Sequence, residues 1–204
     1  IATTDAPITF VADVIHVGVS QPSITAGSGN TLTLRPLTFG TPIGLGAASS
    51  SEFSLSDGQL DRITAGTVQI GDSNSGAITI SNAISRPNTT NLNLTAGSNK
   101  EITFSGGTAG LNANGGNVSL TNSGTGAITS GTAPNDIIAN RVTLTSGNGG
   151  IGASSNPLSF DANQLVTNTS GNANQFLKEA GSVFIDAAGL TAGTGTIQFS
   201  GGTF

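Results

Sequence analysis

Asp57 and Asp61 stand four residues apart in SDGQLDRI, with Arg62 adjacent. On a helix that spacing puts both carboxylates on one face, where a general acid and base could work together. The same spacing equally suits a capped surface turn with an acidic start, which needs no chemistry. His16, in DVIHVGVS, is the single histidine of the chain. If VIHVGV is a strand, His16 points away from its apolar neighbours into solvent, and one imidazole cannot build a histidine-based metal centre. The turn GDSNSG opens like a calcium loop with Asp72 and Asn74, but Ala83 occupies the twelfth position, where a bidentate acid is required. GGTAGLNANGG is a near miss for a calcium-binding nonapeptide, with Asn112 where an aspartate belongs. Both read as ordinary turns, with weak calcium binding at a corner left open. No catalytic residue, metal ligand or cofactor-binding residue is assigned from the sequence.

The composition points the same way. Only 8% of the 204 residues are charged and 4% aromatic, with no Cys, Met, Trp or Tyr, so few side chains are available for catalysis. Six basic against eleven acidic residues leave a net charge of −5 and no basic stripe, which argues against nucleic acid as a partner. Without cysteine there are neither disulfides nor thiolate metal sites. No apolar run approaches the roughly 18 residues that would cross a bilayer as a helix, so membrane insertion is not expected. The opening IATTDAPITF has neither a basic start nor an apolar signal core, as in a mature or excised piece. Gly, Ser, Thr, Asn and Ala dominate, yet abundant Ile, Val and Thr with little charge oppose disorder and favour strands.

Those strands repeat. VQIGDSNSGAITI from Val68, LNLTAGSNKEITF from Leu92, VSLTNSGTGAITS from Val118 and VTLTSGNGGIGAS from Val142 share one register, and their starts are almost evenly spaced. In each, an apolar-x-apolar triplet leads through a turn of Gly, Ser and Asn to a second apolar position: Ile70 to Ile78, Leu94 to Ile102, Leu120 to Ile128, Leu144 to Ile151. A third apolar series comprises Ile84, Leu111, Ile137 with Ile138, and Leu158 with Phe160. Three short strands per unit of about 24 residues predict an all-β fold, a three-sided parallel β-helix of roughly eight coils with few helical turns. An antiparallel sandwich is the structural rival, but it has no reason to repeat strand triplets in register.

The expected architecture is one solenoid domain over residues 1–204, with irregular excursions near 46–66 and 153–182. The period breaks there, because the steps from Leu32 to Val68 and from Val142 to Val183 are much longer than the others. Ser56 with Gln59, and Asp161 with Gln164, have capping-box spacing, so a single helical or 3₁₀ turn is predicted at each.

The runs TLTLRPLTFGTPIGLG, LDRITAGTVQIG and GGIGASSNPL carry a resemblance to the repeat region of filamentous-haemagglutinin-like large bacterial exoproteins, covering residues 24 to 200. The resemblance implies a right-handed parallel β-helix in a secreted or surface-attached protein used for adhesion, aggregation or extracellular fibres. Export of such proteins often uses a secretion domain with an Asn-Pro-Asn motif. Here Asn156-Pro157 is followed by Leu158, so the chain resembles the shaft and not the secretion domain.

On this reading the protein is a non-enzymatic structural and adhesive segment, extracellular or on the bacterial cell surface. Its expected partners are neighbouring repeats of a longer chain or other copies stacked end to end, together with host or matrix glycans. A glycan- or surface-binding adhesin module is the alternative. Polysaccharide-degrading β-helix enzymes cluster carboxylates or Arg and Lys on one face, whereas the eleven acids here are scattered along the chain. An ice-binding face would repeat Thr-x-Thr in every coil. The expected outward column instead reads Gln69, Asn93, Ser119 and Thr143.

Overall fold

The computed structural model describes residues 1–3, 5–18, 23–47, 49 and 52–203. Alternation places one apolar set of each strand inward, and the Gly, Ser and Asn turns bend the chain between strands. The result is a parallel β-solenoid with three rows of strands.

The first row contains β1 (Ile8–Val11), β2 (Ile24–Arg35), β5 (Ile63–Ile70), β8 (Asn91–Ser98) and β11 (Val118–Ser123). It continues through the later parts of β13 (Ile137–Ser146) and β14 (Leu158–Thr169) and ends in β16 (Phe184–Thr191), giving eight levels. The second row stacks β4 (Phe53–Ser56), β3 (Ile43–Gly46), β6 (Ile78–Ile80), β9 (Ile102–Phe104) and β12 (Ile128–Thr129). The third row runs from β7 (Ala83–Ser85) through β10 (Gly110–Asn112) to the first residues of β13 and β14. In the later coils β15 (Gln175–Ser182) and β17 (Ile197–Thr203) each pass through both the second and the third row.

All of these ladders are parallel, so a residue lies on the residue one coil away. Leu32, Val68, Leu92, Val118, Val142 and Leu165 form one inward column, and every member is buried. Ile43, Ile78, Ile102, Ile128 and Ile151 form the second, and Ile84, Leu111, Ile137 and Phe160 the third. These are the three apolar series expected from the sequence, except that Ile138, expected inside with Ile137, faces outward opposite Asp161.

The long interval between Leu32 and Val68 holds one extra strand and one helical turn. Strand β4 adds to the edge of the second row beside β3. Helix α1 (Asp57–Leu60) then follows, with Ser56 as its N-cap and the predicted reciprocal box: Gln59 N–H donates to Ser56 Oγ at 3.3 Å, and Ser56 N–H donates to Gln59 Oε1 at 2.9 Å. Asp57 Oδ1 accepts the Ser85 amide at 2.7 Å, so the turn covers the edge strand of the third row.

The second predicted helical turn does not form. Asp161 and Gln164 lie within β14, paired with Ile138 and Arg141, and no helical turn forms there. From residue 158 to 182 the chain is mostly ladder, in β14 and β15. Leu165 succeeds Val142 one coil later, and the next partner is Ile185, not Val183. A capping signature is a local preference of about a kilocalorie per mole, and a continuous parallel ladder with buried Leu158, Phe160 and Leu165 outweighs it.

Coil-to-coil spacing also demands glycine at particular corners. A methyl group on Gly126 would stand 2.1 Å from the carbonyl oxygen of Lys100 in the preceding coil, and one on Gly149 would stand 2.2 Å from that of Gly126. Backbone cannot yield there without breaking the ladder. Gly126→Ala should therefore destabilise the fold by about 1–3 kcal/mol through overpacking. Leu120→Ala, which empties a fully buried column position, should remove about 2–5 kcal/mol. Urea unfolding of the wild type and both variants checks this, and unchanged midpoints would contradict the stacking.

Candidate functional site

The densest charge cluster lies beside α1. The sequence sets Arg62 next to Asp61, and the structure adds Arg86, from the turn after β7. Its guanidinium is almost fully buried: Nη2 donates to the Ile63 carbonyl at 2.6 Å, and Nη1 lies 3.8 Å from Asp61 Oδ1. Nε and Nη1 have no hydrogen-bond partner. Burial lowers the Arg86 pKa, against the opposing pull of Asp61 and Asp57. Asp61 is raised, first by burial and then by repulsion from Asp57, and Arg86 only partly offsets this. The 3.8 Å contact falls short of a hydrogen bond, so it opposes the effect of burial only weakly. Asp57 is engaged by the Ser85 amide. The arrangement braces α1 against β7 and keeps Asp57 close enough to Asp61 to repel its charge.

The remaining sequence candidates are dispersed. His16 is exposed between buried Ile15 and Val17, the alternation its neighbours predict, although residues 15–18 form no ladder. Asp72 closes its own turn, accepting from Asn74 N–H at 2.9 Å and Ser75 Oγ at 3.1 Å, and its other oxygen meets Arg35 at 3.2 Å. Asn112 Oδ1 accepts the Asn114 amide at 2.9 Å in a similar turn. Among the described residues no three His, Asp or Glu side chains converge as metal ligands.

Other polar devices escaped the sequence reading. Asn91, Asn117, Asn140 and Asn163 form a corner ladder: Asn117 N–H donates to Asn91 Oδ1 at 2.9 Å, Asn140 Nδ2 to Asn117 Oδ1 at 3.4 Å, and Asn163 Nδ2 to Asn140 Oδ1 at 3.1 Å. Their spacing follows the coil period, which is the signal that would have found them. Asp136, fully buried, ties two coils together. Its carboxyl accepts from Ser130 Oγ at 2.6 Å, Gly131 N–H at 3.0 Å, Ser159 N–H at 2.9 Å and Ser159 Oγ at 3.0 Å. Asp13, outside the first coil, accepts from the Thr38 amide at 2.7 Å and the Thr38 hydroxyl at 2.7 Å, and these bonds hold its pKa below the usual carboxylate range.

Two shallow grooves mark the outer surface. One, of about 390 Å³, crosses the third row over Ala83, Ser85, Gly110, Asn112 and Ile138, with Pro134 and Asn135 on its rim; no charged residue lines it. The other, of about 570 Å³, lies on the second row between Asp13 and Glu52, over Gly44, Ser54 and Thr79. The outward column of the first row reads Thr9, Thr33, Gln69, Asn93, Ser119, Thr143 and Val166, a mixed polar strip as expected.

No family model, curated protein or solved structure matches the chain.

The two buried polar groups predict different outcomes. Asp136→Ala strands buried donors on Gly131 and Ser159 and should destabilise the protein by on the order of 3 kcal/mol. Arg86→Met removes a buried, poorly paired cation but also its bond to the Ile63 carbonyl, so gain and loss offset and stability should change by no more than about 1 kcal/mol. Denaturant midpoints decide between them, and a large loss from Arg86→Met would show the Asp61 contact to be stronger than its geometry implies.

Proposed function

We propose that the chain is a non-enzymatic solenoid segment of a filamentous-haemagglutinin-like exoprotein, working outside the cell or on its surface as a shaft with adhesive faces. One observation carries this reading: the first row stacks through eight parallel levels, two further apolar columns pack against it in the middle coils, and the outward strip of that row is mostly small and uncharged. Each level adds about 4.8 Å, so eight levels give a rod about 40 Å long. Length grows with each coil added and calls for no new type of core, which suits a spacer.

A second reading, a glycan-contact module, draws on the uncharged groove over Ala83, Gly110 and Asn112. Its floor lies inside the sheet, where main-chain donors and acceptors are already paired, so a ligand would meet side chains and small-residue relief.

Small-angle scattering with electron microscopy tests the shaft, and a glycan array tests the second reading. An elongated particle that binds nothing selectively supports the spacer. Selective binding to a neutral glycan, lost on Gly110→Lys with folding intact, would make the groove the functional site. Turnover of any polysaccharide on the same array would overturn the non-enzymatic reading.

A further inference from the structure

The third inward column changes character in its later coil. Ile84, Leu111, Ile137 and Phe160 are followed by Glu179, which is only 2% exposed. Glu179 Oε1 accepts from Gly181 N–H at 3.0 Å and Ala162 N–H at 3.4 Å, while Oε2 is buried with no partner. Gly201 and Gly202 of β17 close over it so tightly that a methyl group on Gly202 would lie 2.9 Å from Glu179 Cγ. The neighbouring Phe160 and Phe199 rings meet edge to face at 6.0 Å.

The charged groups around it offer no compensation. Asp161 of β14 flanks Gly181 together with Glu179, since a methyl there would lie 3.5 Å from Asp161 Oδ1 and 3.7 Å from Glu179 Oε1. On β15 itself Lys178 is exposed on the opposite face. On β16 Asp186 is held by Arg141 at 3.3 Å, and β17 carries no titratable side chain. An ionised carboxylate with one unpaired oxygen and an acidic neighbour is disfavoured in such a place, and the neutral acid fits.

We propose that Glu179 is a proton-operated latch: protonated, it packs as a rung of the third column and holds β15 and β17 on β14; ionised, it loosens those coils. The same coils have a more polar core than the rest. Thr167 replaces the leucine of the Leu120–Leu144 column, and Gln175 replaces the isoleucine after Ile151. Gln175 is fully bonded, accepting from the Thr167 hydroxyl and donating to Thr169 Oγ1 at 3.2 Å and the Thr191 carbonyl at 2.7 Å. With less apolar burial in these coils, opening is local and not global.

Burial first, with the Asp161 charge in addition, raises the Glu179 pKa, and the amides of Gly181, Ala162 and Ala180 only partly oppose this. A carboxyl raised in the folded state binds its proton more tightly there than when unfolded. Its stabilising contribution is therefore complete below the unfolded value of about 4.3 and is lost as pH rises through the raised native value. Acid tightens these coils, and neutral pH relaxes them.

Amide hydrogen exchange at pH 5 and pH 8, corrected for intrinsic exchange rates, tests the latch on the wild type and Glu179→Gln. In the wild type, β15 and β17 should lose protection at pH 8 relative to β5, β8 and β11. In Glu179→Gln their protection should be high at both pH values. Asp161→Asn should keep the dependence but move it to lower pH. A wild type with equal relative protection at both pH values, or a Glu179→Gln variant that loses it as the wild type does, overturns the proposal. If the variant fails to fold, carbon-13 titration of the Glu179 carboxyl in the wild type decides: a midpoint at or below the ordinary glutamate range overturns the latch.

Discussion

Parallel in-register pairing of each coil with the next is the interaction on which this molecule depends. It satisfies the main-chain donors and acceptors of the stacked strands and obliges each side chain to lie on its counterpart one coil away. An inward isoleucine therefore meets isoleucine, as from Ile43 to Ile151, and a corner asparagine meets asparagine, as from Asn91 to Asn163. The same spacing leaves no room for side chains where corner backbones touch, as at Gly126 and Gly149. The abundance of glycine and the scarcity of aromatic residues both follow from a thin, regularly spaced core.

Polar groups inside such a core meet different fates according to how many partners the adjoining coils supply. Asp136 has four donors arranged around its carboxyl and serves as a cross-coil tie. Gln175 is likewise complete, bonded to threonines that replace apolar neighbours. Arg86 and Glu179 are incomplete, each with buried atoms lacking a partner, and both have pKa values displaced toward the neutral form. Complete groups rigidify their coils, and incomplete ones make stability respond to conditions.

A surface made mostly of Thr, Ser, Asn and Gln in columns is well hydrated, carries little field and offers no concentrated chemistry. On the function proposed above, such a surface would keep a distance and make repeated weak contacts. The first-row strip and the uncharged third-row groove are the places where such contacts would be made.

The sequence by itself determined the coil. The repeat period and the three apolar series are strictly repeating features that keep their meaning without knowledge of the neighbours, and the Ser56–Gln59 box is a local one that no ladder overrode. Tertiary structure decided whatever depends on which distant segments meet. Asp161 and Gln164 spell a helix cap locally, yet pairing with β13 draws them into a strand. Asp57 and Asp61 share a local spacing, and the stack brought Arg86 to Asp61 from the turn after β7. Glu179 looks like a surface acid until the register sets it under Phe160. The physical reason is that an inward or outward direction is set by strand alternation, but the company a side chain keeps is set by the coil above and below it.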